Sequence, residues 1–183
     1  FPQNVKLNKE GYKDSEDVLM KSKNALSPDE FEKLATDSDI LVLDVRHQTD
    51  FTKGHIPDSI FIGLDGGFAP WVGALVADTE HPILVVAPEG REEETITRLS
   101  RVGFDNTLGY LEGGIASWKA AQKEVDTVSS INAEELKTRI ETADVSVFDV
   151  RKDGEFLSEH IPSASHTSLE FLNDHLSAFP VKG

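Results

Sequence analysis

The sequence predicts an α/β fold: one complete domain built on a largely parallel sheet, followed by a partial second copy. Three observations carry this. Short β-rich runs alternate with helical stretches, the pattern of strands joined by crossover helices. The segment "LSPDEFEKL…ILVLDVRHQTDFTKGHIPDSIFIGL" (26–64) recurs without a gap as "INAEELKTR…VSVFDVRKDGEFLSEHIPSASHTSL" (131–169), and an ungapped match of this kind means two copies of one structural unit. Projected by the same offset, the chain ends near the counterpart of Asp78.

Each copy opens with a helix start, Ser27-Pro28-Asp29-Glu30 or Asn132-Ala133-Glu134-Glu135, where an N-cap residue precedes first-turn acids. A β-rich run follows (40–45 or 145–150) and ends in Asp-Val-Arg. A short polar helix or turn then leads to His-Ile-Pro and a brief strand, at 60–62 or 164–167. The first copy continues with a helix (68–76), a buried strand (82–87) and an amphipathic helix (91–103). In that helix Ile96, Leu99 and Val102 share a face, and Gly103 provides the stop. A last strand and turn (106–114) and a last helix (115–122) complete it, and helices between parallel strands cover both faces of the sheet.

Residues 1–25 read as a lead-in segment, 26–122 as the first domain, 123–130 as a polar linker and 131–183 as the N-terminal half of a second domain. Half a parallel sheet leaves its faces and one edge uncovered. Either the natural polypeptide runs on, the preferred reading, or another chain supplies the remainder.

The net charge of −15 repels nucleic acid and anionic lipid, so neither is an expected partner. No apolar run approaches the ~18 residues of a membrane span, and the start has no signal-peptide core. The default location is cytoplasmic, although a chain beginning at Phe1 reads as a fragment. There are no cysteines, which removes disulfides, thiolate metal sites and cysteine nucleophiles from this chain.

The stretch "VVAPEGREEET" (85–95) draws attention as a candidate site. A buried strand stops at a Pro/Gly turn before an acidic helix start, an arrangement on which many enzymes place a cysteine; here the position is Ala87. Pro88 lacks an N–H, and Glu89, Glu92, Glu93 and Glu94 place negative charge where an anion would sit. Each first-turn carboxylate favours the helix terminus by about 0.3–1 kcal/mol. The loop therefore reads as a well-capped helix start, with a residual anion or partner site as the alternative; Arg91 is its only cation.

Asp44 with Arg46, and Asp149 with Arg151, read as structural ion pairs or loop tethers, with an acid and its partner in a pocket as the alternative. His55 and His160 read as hydrogen-bonded turn residues. His47, His81, His166 and His175 lack metal-ligand spacing. The paired glycines 66–67 and 113–114 are turn signals, not a dinucleotide fingerprint.

Asp-Val-Arg at a strand end, Gly-His-Ile-Pro (54–57), glycine before arginine in the loop, and "YLEGGIASW" (110–118) together resemble the rhodanese-like superfamily from about residue 26 onward. The stretches "PEGREEE" and "GYLEGGIASWK", with the opening "FPQN", further resemble the tandem rhodanese-like C-terminal region of fusions with a metallo-β-lactamase-fold domain, of persulfide dioxygenase–sulfurtransferase type. The resemblance implies a five-stranded central sheet and a catalytic cysteine at the base of a six-residue loop, here Ala87, Pro88, Glu89, Gly90, Arg91 and Glu92. It also implies non-haem iron in an upstream domain, no cofactor in this chain, and a sulfurtransferase cysteine in the rest of the second domain, past Gly183. Expected partners are that upstream domain, the remainder of the second domain, and a further copy in a homo-oligomer. Two functions remain in view: a non-catalytic structural or interaction module, or part of an active thiosulfate sulfurtransferase. A phosphatase on the same scaffold also needs the missing cysteine and ranks below both.

Overall fold

The computed structural model describes residues 24–142 and 145–180. Of the lead-in read as 1–25, only its last two residues are therefore described. The chain divides into two compact units between Val128 and Ser129.

The first unit holds a five-stranded sheet in the order β1-β5-β4-β2-β3. Its strands are β1 (Ala25–Leu26), β2 (Leu41–Asp44), β3 (Ile60–Phe61), β4 (Ile83–Val86) and β5 (Thr107–Leu111), and every pairing is parallel. All four side chains of β4 are buried, as a central parallel strand requires. Alternation along the strands divides the core in two. Leu43, Val45, Ile83 and Val85 face one way, against Phe68 and Val72 of α3 (Phe68–Leu75) and Leu99 of α4 (Glu92–Arg101). Val42, Leu84 and Val86 face the other, against Phe31 of α1 (Pro28–Ala35) and Trp118 of α5 (Gly114–Ala120).

Local chemistry sets the ends of these helices. Ser27 and Glu30 form a capping box at α1: the Ser27 N–H donates to Glu30 Oε2 at 3.0 Å, and Ser27 Oγ accepts from the Glu30 N–H at 3.4 Å. The polar stretch after β2 is a helix, α2 (Gln48–Lys53), capped by His47. Helix α4 ends at Arg101, two residues before the sequence limit. Gly103, at φ 93°, donates to the Ser100 carbonyl, and the Phe104 N–H donates to the Leu99 carbonyl. That pair of bonds is a Schellman ending, and Phe104 packs in the same core cluster as Leu99.

Two features differ from the sequence reading. Strand β1 carries no pattern signal, because a two-residue strand has no period to detect. Residues 123–128, read as part of a polar linker, lie against the first unit instead. Lys123 Nζ reaches Asp29 and Glu32, both at 2.6 Å, and Trp118 Nε1 donates to the Glu124 carbonyl at 2.7 Å. Asp126 exchanges backbone bonds with His55 at 2.9 and 3.0 Å, and the Val128 N–H donates to the Thr52 carbonyl at 3.0 Å.

The second unit contains α6 (Ala133–Glu141), β6 (Phe148–Asp149), α7 (Asp153–Ser158), β7 (Ser165–His166) and short helical turns to Ala178. Strands β6 and β7 pair in parallel, Phe148 with Ser165 and Asp149 with His166. This repeats the register of β2 on β3, Leu43 with Ile60 and Asp44 with Phe61. No other strand joins this sheet among the described residues, and no apolar side chain of the described second unit is buried.

The core of the first unit predicts its response to truncation. Leu99→Ala should lower stability by about 2–5 kcal/mol, measured by urea unfolding with tryptophan fluorescence, since Trp71 and Trp118 both report this unit. A loss below about 1 kcal/mol would contradict the packing described.

Candidate functional site

The strand-to-helix loop begins where β4 leaves the sheet. The Ala87 methyl is buried, 4% exposed, and packs in the same apolar cluster as Val85, Phe68 and Leu99. Gly90 turns the loop at φ 79°, a left-handed conformation that suits glycine. The Arg91 N–H donates to the Pro88 carbonyl at 3.0 Å, and the Gly90 N–H donates to Glu92 Oε1 at 3.2 Å. Two loop N–H groups are thus spent within the loop, and Pro88 has none to offer.

Arg91 is equally committed. Its Nη1 and Nη2 donate to Asp65 Oδ2 and Oδ1 at 3.0 and 2.9 Å, while Nε and Nη2 donate to Glu94 Oε2 and Oε1 at 2.8 and 3.0 Å. Hydrogen bonds from Arg91 hold the Asp65 and Glu94 carboxyls below their ordinary values, and the two carboxylates hold the guanidinium firmly protonated. Arg98 extends the network, donating to the Leu64 carbonyl at 2.7 Å and lying 5.1 Å from the Phe68 ring centroid. Asp65 escaped the sequence reading because it lies far from Arg91 in the chain, within what read only as a glycine turn.

The expected cap of α4 takes a different form. Arg91 stands at the N-cap position without a side-chain cap bond; Glu92, Glu93 and Glu94 occupy the first turn, where acids meet the positive end of the helix dipole.

The Asp-Val-Arg motif builds the same object twice. In the first unit Arg46 Nε donates to Asp44 Oδ1 at 2.9 Å and to Oδ2 at 3.0 Å, Nη2 donates to Oδ2 at 2.6 Å, and Nη2 also reaches the Gly54 carbonyl at 2.8 Å. In the second, Arg151 Nε donates to Asp149 Oδ1 at 3.0 Å, Nη2 to Oδ2 at 2.6 Å and to the Glu159 carbonyl at 2.8 Å. Each arginine ties a strand end to the residue before a histidine. His55 Nδ1 lies 3.0 Å from the Phe51 carbonyl and its ring stacks on Phe51 at 3.9 Å; His160 and Phe156 repeat this at 2.8 and 3.9 Å. Surroundings differ. Asp44 is fully buried and Arg46 nearly so, whereas the Arg151 side chain is 46% exposed. Arg46 is committed to Asp44 and Gly54.

The family model described as "Rhodanese-like domain" matches residues 27–121 and again 132–181. The chain belongs to the rhodanese-like family. The two matched regions correspond to the two copies of the repeat, so the second is a partial rhodanese-like copy. Among curated proteins, the chain is 33% identical over 87 residues to "Uncharacterized protein YibN" of Escherichia coli strain K12, a match covering 47% of this chain and 60% of that protein. It is 30% identical over 105 residues to "Adenylyltransferase and sulfurtransferase uba4" of Pyricularia oryzae, covering 48% of this chain and 21% of that protein. Similar solved structures include a thiosulfate sulfurtransferase from Pseudomonas aeruginosa, with TM-score 0.48, 18% identity, and coverage of 88% of this chain and 38% of that one. Another is the 3-mercaptopyruvate sulfotransferase SseA from E. coli, with TM-score 0.47, 16% identity, and coverage of 77% and 72%. Among the described residues no helix is long and apolar enough to cross a membrane, and no three His, Cys, Asp or Glu side chains stand together to hold a metal ion.

The two rhodanese Asp–Arg pairs should differ sharply in value. Asp44→Ala leaves Arg46 buried and unpaired, with an expected cost of about 3–5 kcal/mol, whereas Asp149→Ala should leave the unfolding midpoint of the first unit unchanged. Hydrogen bonds from the Arg151 side chain and N–H hold the Asp149 carboxyl down at about 2. Its stabilising contribution should therefore be intact above its ordinary value and be lost as pH falls towards 2. Carboxyl ¹³C shifts would check this; a midpoint near 4 would show that the pair does not form.

Proposed function

We propose that this chain is the rhodanese-like region of a sulfur-handling fusion protein, in which the first domain is a catalytically inactive structural or interaction module. One observation carries the reading: at Ala87, where the family resemblance expects the sulfur-carrying cysteine, a methyl group is packed into the core. A methyl group can neither attack a sulfur donor nor hold a persulfide. The loop beyond it has spent the N–H groups of Gly90 and Arg91 on itself and its only cation on Asp65 and Glu94, which leaves little to stabilise a thiolate or an incoming thiosulfate. Degenerate loop residues Ala87 to Glu92 thus serve packing and helix termination. Asp44, Arg46 and His55, with Asp149, Arg151 and His160, serve as loop tethers.

The parent activity is read as persulfide oxidation coupled to sulfur transfer. Its support is the resemblance of the "PEGREEE" and "GYLEGGIASWK" stretches to fusions with a metallo-β-lactamase-fold domain. Any non-haem iron would belong to that other domain, and no step is assigned to it here. A cytoplasmic location, and partnership with that domain or with another copy, are part of the same reading. The alternative, that this chain is part of an active thiosulfate sulfurtransferase, places the cysteine loop beyond residue 183 or on another chain.

Both readings give the same result for the chain alone. The 183-residue protein should transfer no sulfur from thiosulfate to cyanide, and Ala87→Cys should restore little, because Pro88, the glutamates and the Arg91 pairs remain. Robust turnover by the unaltered chain would overturn the inactive assignment, and strong activity of Ala87→Cys would show that the loop is still a working cradle.

A further inference from the structure

All strands of the first unit run parallel, so the residues that precede them share one end of the sheet and the Ala87–Glu92 loop lies at the other. At the first end a groove of about 620 Å³ opens between the end of α1, the turn into β2, the turn before β3 and Trp118 of α5. Ala35, Ile40, Leu41 and Pro57, each partly exposed, form its apolar surface over the buried Ile56 and Trp118. Its rim is acidic. Asp37, Asp58 and Glu124 stand there on three separate segments, all exposed. Among the described residues no lysine or arginine pairs with any of the three, and none lines the groove; Glu32, also in the lining, is held by Lys123 at 2.6 Å.

Two further observations separate these acids from the needs of the fold. Asp58 sits at φ 60° in the turn that the Ser59 N–H closes on the Ile56 carbonyl at 3.1 Å. Glycine adopts that conformation more readily, yet the chain holds a carboxylate there. In the repeat, Asp37 and Asp58 correspond to Thr142 and Ser163, although both copies keep Asp-Val-Arg and His-Ile-Pro. The structural motif is common to the two copies; the acids belong to one.

We propose that this groove is a docking site for a basic, partly apolar peptide segment of a partner protein. An apolar side chain of that segment fills the groove, and lysines or arginines on either side of it meet Asp37, Asp58 and Glu124. Charge complementarity selects the occupant. A second copy of this chain, at −15, brings like charge to the rim, and nucleic acid is repelled by it. Three carboxylates around an apolar centre match a segment carrying several cations rather than a lone amine. The inference goes beyond the inactive-module reading and uses none of its loop chemistry, so its failure would leave that reading standing.

The test titrates the 183-residue protein with the synthetic peptide Gly-Lys-Leu-Lys-Ile-Lys-Gly and follows the two tryptophan indole N–H signals by NMR, assigned with Trp71→Phe. Trp118 Nε1 donates to the Glu124 carbonyl, so its signal reports the groove, whereas Trp71 packs against the other half of the core. The Trp118 signal should shift and saturate while that of Trp71 stays in place. Asp37→Asn, Asp58→Asn and Glu124→Gln together should weaken binding ~10-fold; asparagine tolerates the left-handed turn at position 58. The charge-matched set Asp50→Asn, Glu93→Gln and Glu112→Gln, exposed and outside the groove lining, should weaken it less than ~2-fold. Replacing the peptide's leucine and isoleucine by glycine should cost ~10-fold or more. Four results would overturn the proposal: a Trp118 signal that does not move; equal losses in the two sets of variants, which means diffuse attraction to an acidic surface; undiminished binding of the glycine-substituted peptide; or binding of spermine, a cation with no apolar side chain, as tightly as the peptide.

Discussion

The architecture of the first unit depends on one strand held between two others. Ile83, Leu84, Val85 and Val86 are each fully buried, and β4 pairs in parallel with β2 on one side and β5 on the other. Because successive side chains point to opposite faces, these four residues supply both halves of the core at once. Helices α3 and α4 close over one half, α1 and α5 over the other. The strand also aims the loop that follows it, and Ala87 continues the burial of β4 by one more residue.

The second unit shows what the same local sequence does without that strand. Its arginine still grips its aspartate and the carbonyl eight residues on, and its histidine still stacks on a phenylalanine one helical turn before it. These contacts are local and survive in half a unit. Burial is a collective property and does not: Arg46 and Asp44 are both buried in one copy, whereas in the other Arg151 is half exposed and Asp149 only partly covered. A motif therefore specifies its own hydrogen bonds, while its dielectric surroundings come from distant chain.

Strong periodicity and internal repetition made most of this legible from sequence. The 82–87 run has the uninterrupted apolar character of a central parallel strand, and the ungapped repeat placed the Asp–Arg and His positions in both units. That the sequence contains no cysteine was visible directly. Strand β1 was not visible, because Ala25-Leu26 is too short to show alternation. The docking of residues 123–128 rests on Lys123 meeting Asp29 and Glu32, across most of the domain, and nothing local encodes it. The role of Arg91 was hidden for the same reason. The sequence offered a capped helix start, with an anion site only as the alternative, whereas the Asp65 partner of Arg91, brought in by the sheet, makes it a clamp between the loop after β3 and the start of α4.

Ala87 sits in the core rather than in an open cradle, and the absence of cysteine from the sequence makes this directly measurable. In Ala87→Cys, the rate of thiol alkylation by iodoacetamide would be followed against pH by intact mass. Alkylation should be slow, limited by opening of the domain, with no reactive thiolate at neutral pH. Rapid alkylation of the folded protein below pH 7 would mean that the loop still stabilises a thiolate, and would contradict the assignment of this domain as an inactive module.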